Sequence, residues 1–257
     1  MAPSRWRNFA PMASARTQYK MRIRQLRDLT HDVRELVMET TEPAEFKFKA
    51  GQFVMLHVPQ EGGAKPALRA YSIASSEEDT HGFRLLFKYV KGVDGYPDGV
   101  ASRYVWSLKG DEILTFTGPF GRVFFHEPPT EQIVFLNTGT GLSQHLCYLE
   151  SKLGQYPNLR YHLLFGVRTE QDIYFREELE ELHNKLPHFT YEYVLSRGSA
   201  DWKGKRGYVQ NFIKDLEYMK VPTTFYLCGN SGMIKDTKAL LEADGFDKTR
   251  IFVEAFD

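Results

Sequence analysis

The sequence predicts two domains: an N-terminal antiparallel six-stranded β-barrel, then an α/β domain with a doubly wound, parallel five-stranded sheet. The chain has 257 residues, which is enough to bury two cores. Its first half consists of short strand-like segments between turn residues, and its second half alternates apolar strands with helical stretches. Pro128 and Pro129 interrupt both patterns, so we expect domains at residues 18–127 and 130–257.

Six segments rich in β-branched and aromatic residues make up the predicted barrel. Gly, Pro and Asp turns separate them, as in antiparallel barrels. The segments are YKMRIRQLRDLT, VRELVMET, QFVMLHV, AYSIAS, FRLLFKYV and EILTFTG, and they start at residues 19, 33, 52, 70, 83 and 112.

Five apolar segments predict the parallel sheet. They are QIVFLN, LRYHLLFG, FTYEYVL, TTFYLC and RIFVEAF, and they start at residues 132, 159, 189, 223 and 250. Helical stretches lie between them, near residues 142–153, 175–186, 208–218 and 232–243. Such folds bind ligands at the carboxyl ends of their strands, so the turns at those ends are the candidate binding sites.

Charge and composition give no signal for nucleic-acid binding or for a membrane span. The 33 basic and 33 acidic side chains balance, which gives no indication of nucleic-acid binding. Residues 1–24 carry basic side chains and no acid, and we expect residues 1–17 to be a flexible basic tail, with an organelle transit peptide as the alternative. No apolar run reaches the length of a membrane span, so we expect a cytoplasmic protein without an integral membrane segment.

Metal chemistry is not expected either. The two cysteines, Cys147 and Cys228, are too few to hold an iron–sulfur cluster, and the histidines show no metal-ligand spacing.

Two turns of the second half carry binding chemistry. Gly139 and Gly141 lie between a strand and a helix, where backbone N–H groups and the helix dipole favour a pyrophosphate. After the third strand, a basic loop suits a 2′-phosphate on an adenine ribose; its residues are Ser196, Arg197, Lys205, Arg206 and Tyr208. For the glycine turn, the alternative interpretation is a tight βα connection without a ligand. For the basic loop, the alternative is a solvated loop without a binding role. Two further residues lie at strand ends of the same sheet. We expect Cys228 to face the same crevice as Gly139 and Gly141, and Glu254 follows the last strand.

Several motifs in this order resemble the ferredoxin–NADP reductase superfamily of two-domain flavoproteins, which includes cytochrome b5 reductases and oxygenase reductase components. The resemblance covers roughly residues 18–257. The motifs are Arg69-Ala70-Tyr71-Ser72, Gly99-Val100-Ala101-Ser102, Gly110-Asp111, Gly118-Pro119-Phe120-Gly121, Thr138-Gly139-Thr140-Gly141, Gly166-Val167-Arg168 with Asp172, Cys228-Gly229-Asn230 and Glu254-Ala255-Phe256.

The resemblance implies that the barrel binds FAD. Arg69 then meets the pyrophosphate, Tyr71 packs on the isoalloxazine, and Ser72 hydrogen-bonds near flavin N5. A regular strand sends Tyr71 and Ser72 to opposite faces, so we expect a local twist or a backbone contact there. The other FAD-binding residues implied are Ala70, Phe87, Lys88, Tyr89, Val90, Gly99, Val100, Ala101, Ser102, Thr138 and Phe256.

The resemblance also implies that the second domain binds NAD(P)H, with hydride moving between the nicotinamide and flavin N5. The residues it assigns to the nucleotide are Thr138, Gly139, Thr140, Gly141, Arg168, Ser196, Arg197, Lys205, Arg206, Tyr208, Cys228, Gly229, Asn230 and Met233. Tyr71, Ser72, Cys228 and Glu254 are the implied catalytic residues, and Cys228 is expected to pack rather than to act as a nucleophile.

The chain departs from the family pattern at two places. Ser143-Gln144 stands where the family commonly has Ala-Pro, and Phe256 is followed by Asp257 where many members end on the aromatic residue that stacks on the flavin.

The residues leave the electron donor and the electron acceptor open. The basic loop is similar to that of NADP-dependent members, which favours NADPH, but it also resembles loops of the NADH-using branch. The expected function is therefore a ferredoxin–NADP reductase that passes single electrons to ferredoxin or flavodoxin. The alternatives are a cytochrome b5 reductase or an oxygenase reductase component and, from another class, a regulatory or assembly subunit that binds nucleotide without turnover.

Overall fold

A computed structural model describes residues 17–256. Residues 1–16, which hold nearly all of the predicted basic tail, lie outside the described residues. Within residues 17–256, no helix has both the length and the apolar character required to cross a bilayer.

The first sheet has six antiparallel strands, as predicted. In β1, Met21 and Ile23 are buried while Arg22 and Arg24 face outward, the alternation of a half-buried strand. The sheet order is β4-β3-β6-β1-β2-β5. The strands are β1 (Gln18–Asp28), β2 (Val33–Glu42), β3 (Phe53–Val58), β4 (Ala67–Ser72), β5 (Gly82–Lys88) and β6 (Ile113–Phe120).

The two edges of this sheet approach each other, because Ile73, just after β4, forms an isolated bridge with Leu85 of β5. β4 pairs with β3 in unbroken register, and Ser72 lies opposite Phe53. The distortion that we expected in this strand is not present in its pairing. Tyr71 and Ser72 therefore face opposite sides of the sheet.

One helix of the first half was missed. α1 (Val100–Ser107) connects β5 to β6, and its sequence, VASRYVWS, is rich in the β-branched and aromatic residues that favour strands. The helix follows Gly99 and buries Ala101, Ser102 and Val105.

The second sheet is parallel throughout and has the order β10-β9-β8-β7-β11-β12. The five predicted strands are present, and the two-residue strand β10 adds a sixth at one edge. The elements are β7 (Gln132–Thr138), α2 (Leu142–Lys152), β8 (Arg160–Val167), α3 (Arg176–Lys185), β9 (Phe189–Leu195), β10 (Lys205–Arg206), β11 (Thr223–Asn230), α4 (Ser231–Ala243) and β12 (Ile251–Phe256). The helix predicted near residues 208–218 is instead a 3-10 helix over Val209–Leu216.

The switch point of this sheet lies between β7 and β11. From β7 the chain moves outward through β8 to β10, and then returns to the other side of β7 for β11 and β12. Ligands of doubly wound sheets bind outside the strand ends at such a point. Thr138 and Asn230 end the two central strands and mark this place.

One of the two hydrophobic core clusters of residues 17–256 spans both sheets. A single cluster of buried side chains extends from Met21 and Phe116 in the first sheet to Phe135, Tyr148 and Tyr226 around the second. Its continuity means that the apolar surface of each half is covered partly by the other half.

Close contacts reinforce this shared core. The Tyr148 hydroxyl donates to the carbonyl of Val123 at 2.6 Å. Gly51 has φ +96°, and a Cβ there would lie 3.0 Å from the Tyr148 ring. Lys152 of α2 pairs with Glu77 at 2.7 Å, beyond the end of β4. The two halves are thus held in one arrangement, and so are the sites that they carry.

Candidate functional site

A cavity of about 720 Å³ lies at the carboxyl ends of the parallel strands. Val33 and Lys88 of the first sheet line it together with residues of the second half, so the cavity lies where the two sheets meet. It brings together ten of the residues predicted to bind the nucleotide: Thr138, Gly139, Thr140, Arg168, Ser196, Arg197, Tyr208, Gly229, Asn230 and Met233.

The glycine-rich turn forms one wall of the cavity. It is a 3-10 turn over Gly139–Gly141 that leads directly into α2. The Thr138 hydroxyl accepts a hydrogen bond from the backbone N–H of Asn230 at 2.9 Å, which joins the ends of β7 and β11. On the other side, the Tyr174 hydroxyl donates to the Gly139 carbonyl at 2.8 Å. The turn is therefore held at both ends, with the amino terminus of a helix behind it.

Gly229 allows this close approach of the two strand ends. Its φ is +127°, which side chains of L-residues rarely tolerate, and a Cβ there would lie 2.7 Å from the Thr138 carbonyl oxygen. Only glycine fits this position without a shift of the backbone.

Two arginine side chains line the cavity close to each other. Neither Arg168 nor Arg197 has a hydrogen-bond or ion-pair partner for its guanidinium within residues 17–256. The backbone N–H of Arg197 donates to the Arg168 carbonyl at 2.7 Å, which holds the two residues side by side. Ser196 and the exposed Tyr208 also line the cavity. These groups suit a phosphate ester beside an aromatic ring.

Lys205 and Arg206 belonged to the predicted nucleotide site but do not line this cavity. The Lys205 ammonium pairs with Asp215 at 2.6 Å and with Glu192 at 3.4 Å, so acidic side chains already neutralise its charge. Arg206 is exposed and donates from Nη2 to the carbonyl of Ala200 at 3.3 Å.

Gly141 and Cys228 also lie behind the cavity wall rather than on it. A Cβ at Gly141 would be 2.6 Å from the carbonyl carbon of Cys228, so these two residues pack directly together. Cys228 is completely buried, and burial raises the pKa of its thiol well above the ordinary value, with the nearby Glu254 carboxylate contributing further. Such a protonated thiol suits packing rather than nucleophilic chemistry.

The sequence patterns did not reveal several polar groups of the cavity. Gln210 donates to Asp236 at 3.3 Å, and both residues line the wall. Asp172, which belongs to a family motif but had no assigned role, accepts from the N–H and the hydroxyl of Thr169, each at 2.8 Å. These residues follow the carboxyl ends of strands, and that position is the signal that could have identified them.

Glu254 lies at the junction of the two sheets with one donor for each carboxylate oxygen. The Ser72 hydroxyl donates to Oε1 at 2.8 Å, and the Gln144 amide donates to Oε2 at 2.7 Å. Burial raises the pKa of the Glu254 carboxyl, while these two hydrogen bonds lower it. The structure therefore brings together Ser72 and Glu254, which were predicted separately, and adds Gln144.

The proposed flavin-binding face is formed by β4 and β5. The Tyr71 ring lies 4.3 Å from the Phe87 ring, between centroids, and burial raises the pKa of the Tyr71 phenol to about 12. Arg69 is exposed, and the only hydrogen bond of its guanidinium within the described residues goes to the neighbouring Leu68 carbonyl, at 2.9 Å. Ala70 is also exposed on this edge strand.

The loop between β5 and α1 is closed by hydrogen bonds of residues that were predicted to bind FAD. The Ser102 hydroxyl accepts from the Val90 N–H at 2.8 Å, and the Gly99 N–H donates to the Val90 carbonyl, also at 2.8 Å. The Tyr89 hydroxyl donates to Asp98. Ser102 thus shapes the loop, and Lys88 pairs with Asp32 and lines the cavity, while the roles of both residues in FAD binding stay predictions.

These features fit FAD. Arg69 offers an exposed guanidinium whose remaining donors suit a diphosphate. The first N–H groups of α1, at Val100, Ala101 and Ser102, lack partners within the helix. Tyr71 presents a half-buried ring whose hydroxyl has no hydrogen-bond partner within residues 17–256. Phe256 ends β12, and its side chain is not among those that the structure describes, so its stacking on the flavin stays a prediction.

Comparison with known proteins matches each half of the chain to a different domain family. Residues 20–125 match the oxidoreductase FAD-binding domain, and residues 135–239 match the oxidoreductase NAD-binding domain. The chain is 33% identical to ferredoxin–NADP reductase B of Sorangium cellulosum over 248 residues, which cover 93% of this chain and 98% of that protein.

Two further proteins are similar to this chain. The reductase subunit of glycine betaine monooxygenase from Chromohalobacter salexigens is 28% identical over 88% of this chain, and the chain spans only 61% of its length. The FAD/NAD-binding domain of nitric oxide dioxygenase from Vibrio cholerae has the same fold, with a TM-score of 0.80, 22% identity and coverage of 93% of this chain and 98% of that one. The two domain matches and the similarity to the Sorangium cellulosum protein show that the chain belongs to the ferredoxin–NADP reductase family, as an NAD(P)H-dependent flavoprotein reductase.

Proposed function

We propose that this protein takes electrons from NADPH through FAD and passes them singly to a small carrier protein, ferredoxin or flavodoxin. The observation that carries the choice of NADPH is the pair of unpartnered guanidinium groups, Arg168 and Arg197, beside Ser196 in the nucleotide cavity. In this proposal residues 18–127 hold FAD and residues 130–257 hold the nucleotide.

Different residues of the cavity bind different parts of the nucleotide. Arg197, Ser196 and Tyr208 take the 2′-phosphate and the adenine end, since a guanidinium offers two parallel donors to a phosphate. The glycine-rich turn and Arg168 take the pyrophosphate. FAD, when bound, accepts two electrons as hydride and releases them one at a time.

Ser72 and Glu254 act at the reacting end. As hydride leaves the nicotinamide, that ring becomes positively charged, and a nearby ionised carboxylate stabilises the developing charge. The Ser72 hydroxyl and the Gln144 amide hold the Glu254 carboxylate in place. The chain thus supplies position and charge, while the chemistry of electron transfer belongs to the two dinucleotides.

Anaerobic mixing of the holoprotein with NADPH or NADH tests the choice of donor. We expect faster bleaching of the flavin with NADPH. Arg197→Ala should raise KM for NADPH about tenfold or more with little change for NADH, because it removes a charge-assisted contact to the 2′-phosphate. Arg160→Ala, at the opposite end of the sheet, is the matched control. Equal losses with both nucleotides would contradict the 2′-phosphate assignment.

The acceptor is tested with reduced protein and purified carriers. The similarity to a ferredoxin–NADP reductase over 98% of its length supports ferredoxin or flavodoxin. The similarity to a monooxygenase reductase subunit supports an oxygenase component as the second candidate. Rapid reduction of ferredoxin or flavodoxin would support the proposed acceptor. If the reduced protein reduces only an oxygenase component or cytochrome b5, the proposed acceptor is wrong.

A further inference from the structure

Gln144 occupies an unusual place for an amide side chain. It lies in the first turn of α2 and is 1% exposed. Its Nε2 donates to Glu254 Oε2 at 2.7 Å and lies 3.4 Å from the Gly51 carbonyl oxygen. One buried amide therefore links the helix after the glycine-rich turn to β12 and to the first half of the chain.

No cation pairs with Glu254 within residues 17–256. Three elements that pack around Glu254 contribute its neighbours, which are Ser72 on β4, Gln144 on α2 and Cys228 on β11. Cys228 lies directly opposite Glu254 in the parallel sheet. Tyr148 on α2 also interacts with its charge. The titratable neighbours, Cys228 and Tyr148, both have a pKa raised by burial, so they are neutral and give the carboxylate no counter-charge.

A half-buried carboxylate without a cation depends on its hydrogen bonds to stay ionised. Here there are two donors, and they bind different oxygens. Removal of either one leaves an oxygen unpaired and favours the protonated form. The carboxylate also loses its fixed orientation, because each donor comes from a different element.

We propose that Gln144 is a positioning residue that keeps Glu254 ionised and oriented toward the site of hydride transfer. This inference rests on the proposed function, because it assumes that Glu254 acts there. It concerns the position at which the chain departs from the family pattern, where a proline has no amide to donate.

The direct test is a titration of the Glu254 carboxyl in the holoprotein. Glutamate labelled with ¹³C at the side-chain carboxyl gives NMR signals that move on ionisation, and Glu254→Gln identifies the relevant signal. Gln144→Met keeps the length and removes the donor, so we expect the midpoint for Glu254 to move to higher pH. Ser143→Ala, a buried neighbour in the same turn, should leave the midpoint unchanged. An unchanged midpoint in Gln144→Met would overturn the inference.

A second variant keeps the test usable if Gln144→Met does not fold. Gln144→Asn retains the amide but withdraws it from the carboxylate, so it should shift the midpoint in the same direction. An unshifted Gln144→Asn protein would also count against the inference.

The kinetic readout separates this inference from the proposed function. Stopped-flow bleaching of the flavin by NADPH, measured against pH, should lose about tenfold in rate on the acid side of the profile in Gln144→Met, the value of one charge-assisted hydrogen bond. If NADPH does not reduce the flavin of the wild-type protein, the proposed function is wrong whatever the titration shows. If the wild type is reduced and both pH profiles coincide, only the role of Gln144 is wrong.

Discussion

The hydroxyl of Ser72 donates to Glu254 Oε1 at 2.8 Å, across 182 positions of sequence and from one sheet to the other. The contact joins the last residue of an edge strand to the last strand of the chain. In the proposed function it joins the strand that carries Tyr71 to β12, the neighbour of β11 in the second sheet. A single substitution on either side of the contact removes it.

Ser72→Ala should slow flavin reduction by NADPH about tenfold to a hundredfold, because a hydrogen bond to a charged group contributes about 1.5–3 kcal/mol. Without the donor, the pKa of Glu254 rises further and the carboxylate is less well held. Anaerobic stopped-flow measures the rate. Ser107→Ala, at an exposed serine that donates to the Tyr104 carbonyl, is the control. A wild-type rate in Ser72→Ala would exclude the pair from the reaction.

Glu254→Gln should stabilise the fold at neutral pH. Burial raises the pKa of this carboxyl in the native state above the ordinary 4.5. At pH values between the ordinary pKa and the raised one, the native state therefore binds more protons than the unfolded state. Stability then falls as pH rises through that window, and the full cost is present above it. We expect Glu254→Gln to raise Tm by about 2–4 °C at pH 7.

The same gain should shrink toward pH 4, where wild-type Glu254 is protonated. Thermal denaturation at both pH values gives the comparison. A variant that is less stable than the wild type by the same amount at both values would contradict the assigned direction of the pKa.

Gly229→Ala should weaken nucleotide binding by more than its loss of folding stability explains. A Cβ there overlaps the end of β7 at Thr138, so we expect Kd for NADPH to rise about tenfold or more, the equivalent of at least 1.4 kcal/mol. Gly245→Ala is the matched control: it also has positive φ, +73°, but open space around it, and should cost only about 1 kcal/mol of stability. Equal behaviour of the two variants in a NADPH titration would show that the overlap is relieved elsewhere.

Tyr71→Ala should weaken FAD binding about tenfold to a hundredfold, because burial of one aromatic face contributes about 1.5–3 kcal/mol. Tyr71→Phe should bind FAD normally, since the ring and its contact with Phe87 remain. Flavin fluorescence on dilution measures the release. Loss of FAD from both variants would assign the binding to the hydroxyl instead.

Lys205→Ala should leave KM for NADPH within about twofold of the wild type, in contrast to Arg197→Ala. Its ammonium is already paired with Asp215 and Glu192, and loss of such partly exposed pairs costs about 0.5–1 kcal/mol of stability. Steady-state kinetics and urea denaturation give the two values. A large effect on KM for NADPH would mean that these pairs open when the nucleotide binds.

Local pattern was sufficient for most of the fold. The alternation in β1 and the apolar runs of the parallel strands are strong signals, and the predicted strands lie close to the observed ones. α1 was missed because its eight residues have the composition of a strand, and only the burial of Ala101, Ser102 and Val105 shows the helical period. The two-residue β10 is too short to give any periodic signal.

The site was harder to predict, because its contacts join distant positions. Arg197 could be inferred from its place after a strand, and Arg168 came only from the resemblance to a family motif. Nothing in the sequence near Lys205 indicates that Asp215 and Glu192 neutralise it, since that depends on the tertiary arrangement. Gln144 was noticed as a departure from a pattern, but its contact with Glu254 spans 110 positions and appears only in the folded chain.

The core that is continuous from Met21 to Tyr226 limits how this chain can be recombined with its relatives. Pro128 and Pro129 look like a convenient crossover point, yet a chimera joined there would match the Tyr148 face of one parent with the Gly51 turn of the other. A Cβ at Gly51 would lie 2.1 Å from the Val123 carbonyl oxygen and 2.4 Å from the Tyr148 hydroxyl, so a larger residue there requires a shift at the interface of the two halves. What can be exchanged between relatives is therefore the matched interface together with both of its walls, and a single domain is too small a unit.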